Sequence, residues 1–314
     1  LILMSLSIRD SFAQDIPVSS SGELLFYLDN SSFAGNDNLS VTEFYLMFYA
    51  DQILNSLKLA DNKTEIQLKS TISTLDNNVI SSRTWITEIN FSTEFTNTKV
   101  VYDQWREELK SGEYKIIVEA FDRPRSSIGK AVKEFYVPDF SMNKETISDI
   151  QLIASINTDS SRGHFNKGNL NILPNPSRRY GILIPDLYFY FELYGFDSTK
   201  GNLFASYQIE NKDKNILKNI DRVKISKQYN STAVLHGINV STLKTGIYTL
   251  KGKVKDEFSG DEIVFSKAFE IIESDFFENT LILSQEQASI FETILSYIGS
   301  VEQLNFYKTL SIQG

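Results

Sequence analysis

Apolar residues recur at every second position in two separate stretches of the chain. Tyr114, Ile116, Val118 and Ala120 form one such row, and Tyr248, Leu250 and Val254 form the other. Period two is the signature of a strand with one face turned to a core. Each row follows the same lead-in, Leu109-Lys-Ser-Gly-Glu-Tyr114 in one case and Leu243-Lys-Thr-Gly-Ile-Tyr248 in the other. Gly112 and Gly246, Tyr114 and Tyr248, Asp122 and Asp256, and Phe135 and Phe269 all stand 134 positions apart (246 − 112, 256 − 122). The chain therefore carries an internal duplication. An interval of that size exceeds the roughly 20 to 50 residues of solenoid repeats and suits a β-sandwich of about 100 residues.

The lead-in has a mechanical meaning. Gly112 and Gly246 supply a positive-φ turn, and the tyrosine two residues later buries its ring while its hydroxyl returns to nearby backbone. That is the tyrosine corner of immunoglobulin-like sandwiches, so Tyr114 and Tyr248 are expected to be structural.

Other runs fill in the strands. Glu23 to Leu28 opens the first domain, and Thr42 to Tyr49 is apolar on both pleat faces. The latter pattern predicts a central strand covered on both sides, or one that meets a neighbouring domain. Thr64 to Ser73 alternates, with turn clusters at Asp61-Asn-Lys and Asp76-Asn-Asn. In the second copy Thr249, Lys251, Lys253 and Lys255 can face water, whereas Ile117 and Phe121 of the first would be wasted there. That side of the first domain is expected to be partly covered, with the second domain as the candidate cover. Ser148 to Ile156 begins the second domain, and Asn157 to Gly168 reads as a polar loop. Pro174-Asn-Pro-Ser-Arg-Arg-Tyr-Gly181 reads as a rigid turn, and Leu187 to Tyr194 is an aromatic strand comparable to Phe44 to Tyr49.

The ends of the chain follow other patterns. Residues 1–13 resemble the tail of a secretory signal, with Ser11 and Ala13 at the small-residue positions of a cleavage site. Near the other end, Ser284 to Gln287 is a capping-box pattern, and Ile290, Phe291, Ile294, Leu295 and Ile298 share one helical face. A second cap at Ser300 to Gln303 precedes Leu304, Tyr307 and Leu310. The expected organisation is a signal remnant (1–13), a linker (14–21), a first immunoglobulin-like sandwich (22–139), a connector (140–147), a second sandwich (148–273) and a helical segment (274–314). The last is read as leading into a further, missing C-terminal domain. The fold class is thus all-β, two tandem antiparallel sandwiches followed by short helices.

Composition narrows the function classes. A formal charge of −9 opposes the phosphate backbone, which argues against nucleic acid as a partner. The absence of cysteine removes disulfides, thiol catalysis and thiolate metal sites. No run reaches the ~18 apolar residues of a membrane span.

Ser148-Asp-Ile-Gln-Leu, Pro174 to Gly181 and Leu187 to Tyr194, together with the Gly-x-Tyr strands and closing helices, resemble the N-terminal half of the GWxTD-domain family. Members of that family are exported, largely uncharacterised proteins of the Bacteroidota and related bacteria. The resemblance runs from about Gly22 to Gly314. The naming Gly-Trp-x-Thr-Asp motif is absent, since neither Trp85 nor Trp105 stands in that context, so no functional residues carry over.

Candidate chemistry is sparse. His164 and His236 are the chain's two histidines, and neither has a partner at ligand spacing. Asp122 and Asp256 end equivalent strands and read as turn or cap residues. Gly35 to Asn38 and Asp76 to Asn78 lack the acidic spacing of an EF-hand. Arg178, Arg179 and Tyr180 are the candidate ligand contacts, able to grip a carboxylate or stack on a sugar; in the plainer alternative they form a turn whose arginines pair with acidic neighbours. No catalytic residue, cofactor or metal site is assigned. The leading expectation is a non-enzymatic, extracytoplasmic spacer and protein-interaction module at the bacterial envelope, in the periplasm or at the cell surface. Its expected partners are envelope proteins and the missing domain. The alternative is a glycan- or peptide-binding module using exposed aromatics, the Arg178/Arg179 pair or an open strand edge.

Overall fold

In a computed structural model the described residues are 17–49, 52, 63–90, 100–122, 127–140, 145–157, 166–167, 170–181, 184–228 and 231–272. Contacts divide the chain into two units, Leu1–Glu273 and Ser274–Gly314. The signal remnant, residues 14–16 of the linker, His164 and the helical segment lie outside the described residues, whereas Val18, Ser19 and Ser21, also read as linker, are strand residues paired within the first half. The described part is all-β, built almost wholly from antiparallel pairs. No helix among the described residues is long and apolar enough to cross a membrane.

The first half contains β1 (Val18–Ser19), β2 (Ser21–Gly22), β3 (Phe26–Ala34), β4 (Ser40–Tyr49), β5 (Lys63–Thr74), β6 (Val79–Asn90), β7 (Val100–Leu109), β8 (Gly112–Asp122) and β9 (Ser127–Val137). They form two sheets, ordered β1-β3-β4-β7 and β2-β9-β8-β5-β6. Between them lies one core, with Phe26, Leu28, Phe44, Leu46, Phe48, Ile116 and Val118 at its centre.

The second half contains β10 (Thr146–Ile147), β11 (Gln151–Asn157), β12 (Asn166–Lys167), β13 (Leu170–Pro174), β14 (Arg179–Gly181), β15 (Asp186–Tyr194), β16 (Leu203–Asn211), β17 (Ile216–Ile225), β18 (Ser231–Asn239), β19 (Gly246–Asp256) and β20 (Glu262–Ile272). Here β15 lies between β11 and β18, and the facing sheet runs β14-β20-β19-β16-β17. Strand for strand, β11-β15-β18 matches β3-β4-β7, and β20-β19-β16-β17 matches β9-β8-β5-β6. The second core holds Leu187, Phe189, Phe191, Tyr207, Leu250 and Phe269. Since β10 already pairs with β15, residues 146–147 belong to the second sandwich rather than to the connector.

Equivalence extends to single atoms. Tyr114 pairs with Phe135 across β8 and β9, and Tyr248 pairs with Phe269 across β19 and β20. The ring centroids are 5.8 Å apart in both copies, at interplanar angles of 27° and 26°. The Tyr114 hydroxyl donates to Lys110 O at 3.0 Å, and the Tyr248 hydroxyl donates to Lys244 O at 2.6 Å. Gly112 and Gly246 both have φ of 157°, and a Cβ there would meet the tyrosine ring only at 3.7 Å, so the backbone angle rather than space calls for glycine. These corners lock the turn into each core strand.

The turns read from sequence also take shape. Gly35 to Asn38 joins β3 to β4, with Asp37 and Asn38 at φ of 52° and 61°. Asp76 to Asn78 joins β5 to β6, closed by Thr74 N donating to Asn78 O at 3.0 Å. Asp256 caps its turn, its carboxylate accepting from Phe258 N at 2.8 Å and from the buried Lys227 ammonium at 2.7 Å. Lys167, in the stretch read as a loop, instead lies in β12.

Candidate functional site

The outer face of the β3-β4-β7 sheet is where the sequence departs most from a solvated surface. Phe26 and Leu28 point into the core, so Tyr27, Asp29, Ser31 and Phe33 point outward. Register places Tyr45 opposite Asp29, Glu43 opposite Ser31, and Arg106 opposite Glu43. Asp29, Ser31, Glu43 and Tyr45 are nevertheless buried, because the second sandwich docks on this face. The double-sided apolar pattern of Thr42 to Tyr49 is thereby explained. Ile117 and Phe121 are part-buried on the opposite sheet, but the second sandwich does not cover them: their register neighbours Val132 and Ile128 remain 46% and 55% exposed.

Arg178 is the centre of the junction. It stands in the turn between β13 and β14, where Arg178 N donates to Asn175 O at 3.0 Å and the backbone adopts φ of 52°. Ser177 Oγ donates to Asn175 Oδ1 at 2.7 Å, and Asn175 Nδ2 donates to Arg179 O at 2.9 Å, which holds a left-handed conformation unusual for a non-glycine residue. From there the guanidinium meets Asp29 with two bonds, Nε to Oδ2 at 2.7 Å and Nη2 to Oδ1 at 2.6 Å. Its side chain is 0% exposed. Lys133 Nζ donates to the same Oδ1 at 2.8 Å. Burial alone would raise the Asp29 carboxyl, but Arg178, Lys133 and Lys267 together hold it well below the usual carboxylate range. Lys133 and Lys267 are duplicates of one another, each on an otherwise apolar row.

A second ionic group lies alongside. Glu43 accepts from Lys167 Nζ at 2.8 Å, from Arg106 Nη2 at 3.0 Å and from the Tyr45 hydroxyl at 2.8 Å. Burial pushes the Lys167 ammonium down, with Glu43 working against that shift. Burial, reinforced by Glu43, raises the Tyr45 hydroxyl far above its ordinary value, so it stays a donor. Lys167 Nζ also sits 3.7 Å from the Phe33 ring centroid, a cation–π contact. Phe33, Ile153, Ile172 and Tyr190 form a small apolar core beneath these charges. Backbone closes the junction: Asp149 N donates to Ser32 O at 3.0 Å, Ser32 N donates to Asp149 Oδ2 at 2.8 Å, and Ala34 N donates to the Tyr194 hydroxyl at 3.1 Å.

The three candidate ligand residues separate here. Arg178 is enclosed in the junction, and Tyr180 is buried in the second core with its hydroxyl donating to Ile153 O at 3.0 Å. Arg179 keeps partial exposure, donates to Glu270 Oε2 at 3.0 Å and lies 5.3 Å from the Tyr27 ring centroid. Neither Arg178 nor Tyr180 offers a surface to a ligand, and both arginines pair with carboxylates. Sequence reading missed Asp29, Glu43, Lys133 and Lys167. The available signal was a charge standing in an apolar row, as Lys133 does between Ala131 and Phe135.

Elsewhere, a groove of about 880 Å³ opens beside β6 and β7, lined by Arg83, Trp85, Tyr102, Asp103 and Arg106 among others. Its polar groups are largely engaged with each other. Asp103 accepts from Trp85 Nε1 at 3.0 Å, from Thr87 Oγ1 and from Gln104 N. Ser81 and Arg83 engage Glu107 in the same way. His236 stacks on Tyr207 with centroids 4.7 Å apart, and burial lowers its pKa. No cluster of His, Asp and Glu suited to a metal ion occurs among the described residues.

No family model matches the chain, and no curated protein matches it. Among solved structures, it is similar to red sea bream transglutaminase at 8% identity and a TM-score of 0.22, covering 79% of this chain and 31% of that one. It is also similar to Bifidobacterium dentium β-glucuronidase complexed with coumarin-3-O-glucuronide, at 10% identity and a TM-score of 0.24, covering 74% and 40%. The chain thus spans less than half the length of either protein.

Proposed function

We propose that the chain is a non-catalytic, exported pair of immunoglobulin-like sandwiches that acts as a rigid spacer and protein-interaction module at the bacterial envelope. The observation that carries this reading is the fully enclosed Arg178–Asp29 pair at the junction. A buried ion pair adds little net stability, because desolvation offsets attraction, but its two-bond geometry accepts one orientation of the partners. A hinge would have to break it and wet both charges at every excursion. The junction therefore sets a fixed angle between the sandwiches, which is what a spacer needs and what a flexible linker does not provide. The buried carboxylates Asp29 and Glu43 are committed to cations and a tyrosine, which further supports a mechanical use of the ionisable groups.

Because the chain has no cysteine, spin labels at Lys69→Cys and Lys251→Cys report the angle directly by pulsed electron resonance, with labelled chain diluted in unlabelled. A narrow distance distribution is expected, broadening in Arg178→Ala. A broad distribution in the otherwise native chain would overturn the rigid-spacer reading.

One observation favours a second reading, a ligand-binding module. The β6–β7 groove has the size of a small-molecule site, and Trp105, in its lining, has a buried Nε1 without a hydrogen-bond partner among the described residues. Calorimetric titration with oligosaccharides or peptides, compared with Trp85→Ala, separates this reading from the first.

A further inference from the structure

The two copies treat their outermost strands differently. β6 and β17 are equivalent edges, each last in its sheet. An edge strand exposes a row of unpaired backbone groups, and proteins guard such edges with bulges, lysines or prolines. β17 is guarded: its pairing with β16 is interrupted by two register shifts, Arg222 adopts φ of 58°, and Lys218 and Lys224 line it. β6 has a single register shift, confined to its first residues between Val79 and Ser81, and none of the other features. It runs twelve residues, stays in register with β5 from Ser81 to Asn90, and contains neither lysine nor proline. Among the described residues β5 is its single neighbour. Val79, Ile80 and Ile86 stand exposed along it.

We infer that β6 is a homotypic docking edge, at which a second copy of this chain adds its own β6 antiparallel and joins two sheets into one. This deepens the interaction-module reading by naming the surface and the partner, and it rests on that reading. Charge selects the occupant. The whole chain carries −9, so two copies repel over most approaches, yet the charged residues of β6 are Arg83 and Glu88 and sum to zero. A two-fold axis normal to the sheet makes the added strand antiparallel and keeps the core-facing rows together, with odd residues opposing odd ones, because strand faces alternate. With the axis at Thr84, near the strand's centre, Arg83 stands opposite the second copy's Trp85, and Ile80 opposite its Glu88. Arg83 already lies 5.2 Å from its own Trp85 ring centroid, so the pairing extends an existing contact. No like charges stand directly opposite each other. A glycan is a poorer fit to this edge: the side-chain groups that would hold its hydroxyls are bonded to each other, whereas the strand's outer backbone groups have no described partner.

Sedimentation of the full chain should show a reversible monomer–dimer equilibrium. Thr84→Lys places two ammonium groups opposite each other at the axis and should weaken dimerisation roughly tenfold or more, as should Thr84→Glu. Mixing these two variants should restore it as a heterodimer. Thr84→Cys should cross-link between copies, while Lys224→Cys on the guarded edge should not. Unchanged circular dichroism of each variant shows that folding is intact. A strictly monomeric native chain, a dimer indifferent to both Thr84 charges, or equal cross-linking at Lys224 would overturn the proposal. The distance between labels within one chain is unaffected by any of these outcomes, so failure here is distinguishable from failure of the spacer reading.

Discussion

Inside, the two sandwiches are near replicas; outside, they share little. The tyrosine corners agree in register, ring geometry and backbone angle. On the outer face of β3 and β4, by contrast, Asp29, Ser31, Glu43 and Tyr45 are buried against the second sandwich, and Asp29 has become the anchor of a junction. The duplicated lysines serve this one anchor: Lys133 donates to Asp29, and Lys133 and Lys267 both help to hold its carboxyl low. Core positions are held because a close-packed interior punishes any change of volume, while surfaces tolerate charge changes at little cost. A duplicated chain can therefore build an asymmetric interface from unlike faces of like domains.

The sharpest way to break this comparison is to remove a buried carboxylate from each side of it. Asp29→Ala leaves Arg178 and Lys133 without their shared anion and should cost about 3–5 kcal/mol, read by urea unfolding. Asp256→Ala, which strands Lys227 inside the second sandwich, should cost a similar amount. Only the first should broaden the inter-sandwich distance distribution. Equal broadening would mean that the junction does not depend on the Asp29 cluster.

Acid sharpens the same point. Asp29 is held below its unfolded value of about 3.9, so its contribution is complete above that pH and is lost as pH falls through the depressed folded value. The narrow distance distribution should persist down to about pH 4 and fail only in stronger acid. Asp29→Asn should remove that acid-dependent step, and broadening near pH 6 would contradict the assignment.

Smaller effects test the replica interiors. Tyr114→Phe and Tyr248→Phe each delete one hydroxyl bond to backbone and should each cost about 1 kcal/mol. Because the two corners match, the two costs should match in thermal or urea unfolding. At the bottom of the scale, Lys69→Ala removes an exposed pairing with Glu119 at 3.9 Å and should shift stability by less than about 0.5 kcal/mol.

Local pattern reached far into this molecule. Period-two rows gave the core strands, and the repeated Leu-x-x-Gly-x-Tyr gave the corners down to the hydroxyl bond, since both follow from neighbours along the chain. Thr42 to Tyr49 even announced a strand covered on both faces. What covered it was not legible. Ile117 and Phe121 pointed to the wrong sheet because exposed apolar residues are ordinary on protein surfaces and do not name a partner. Arg178 looked like a ligand contact because a turn rich in arginine reads as surface, and Tyr180 followed it.

The chain's own order of residues thus decided that two sandwiches would form, where each core row lies and how each tyrosine is tied down. Period, turn chemistry and duplication are all properties of short stretches. Only the folded arrangement decided that Asp29, Lys133, Arg178 and Lys267, drawn from four distant strands and turns, would share one dry space. Coulomb energy depends on separation in space and on the surrounding dielectric, and neither quantity is written in the sequence of residues between them.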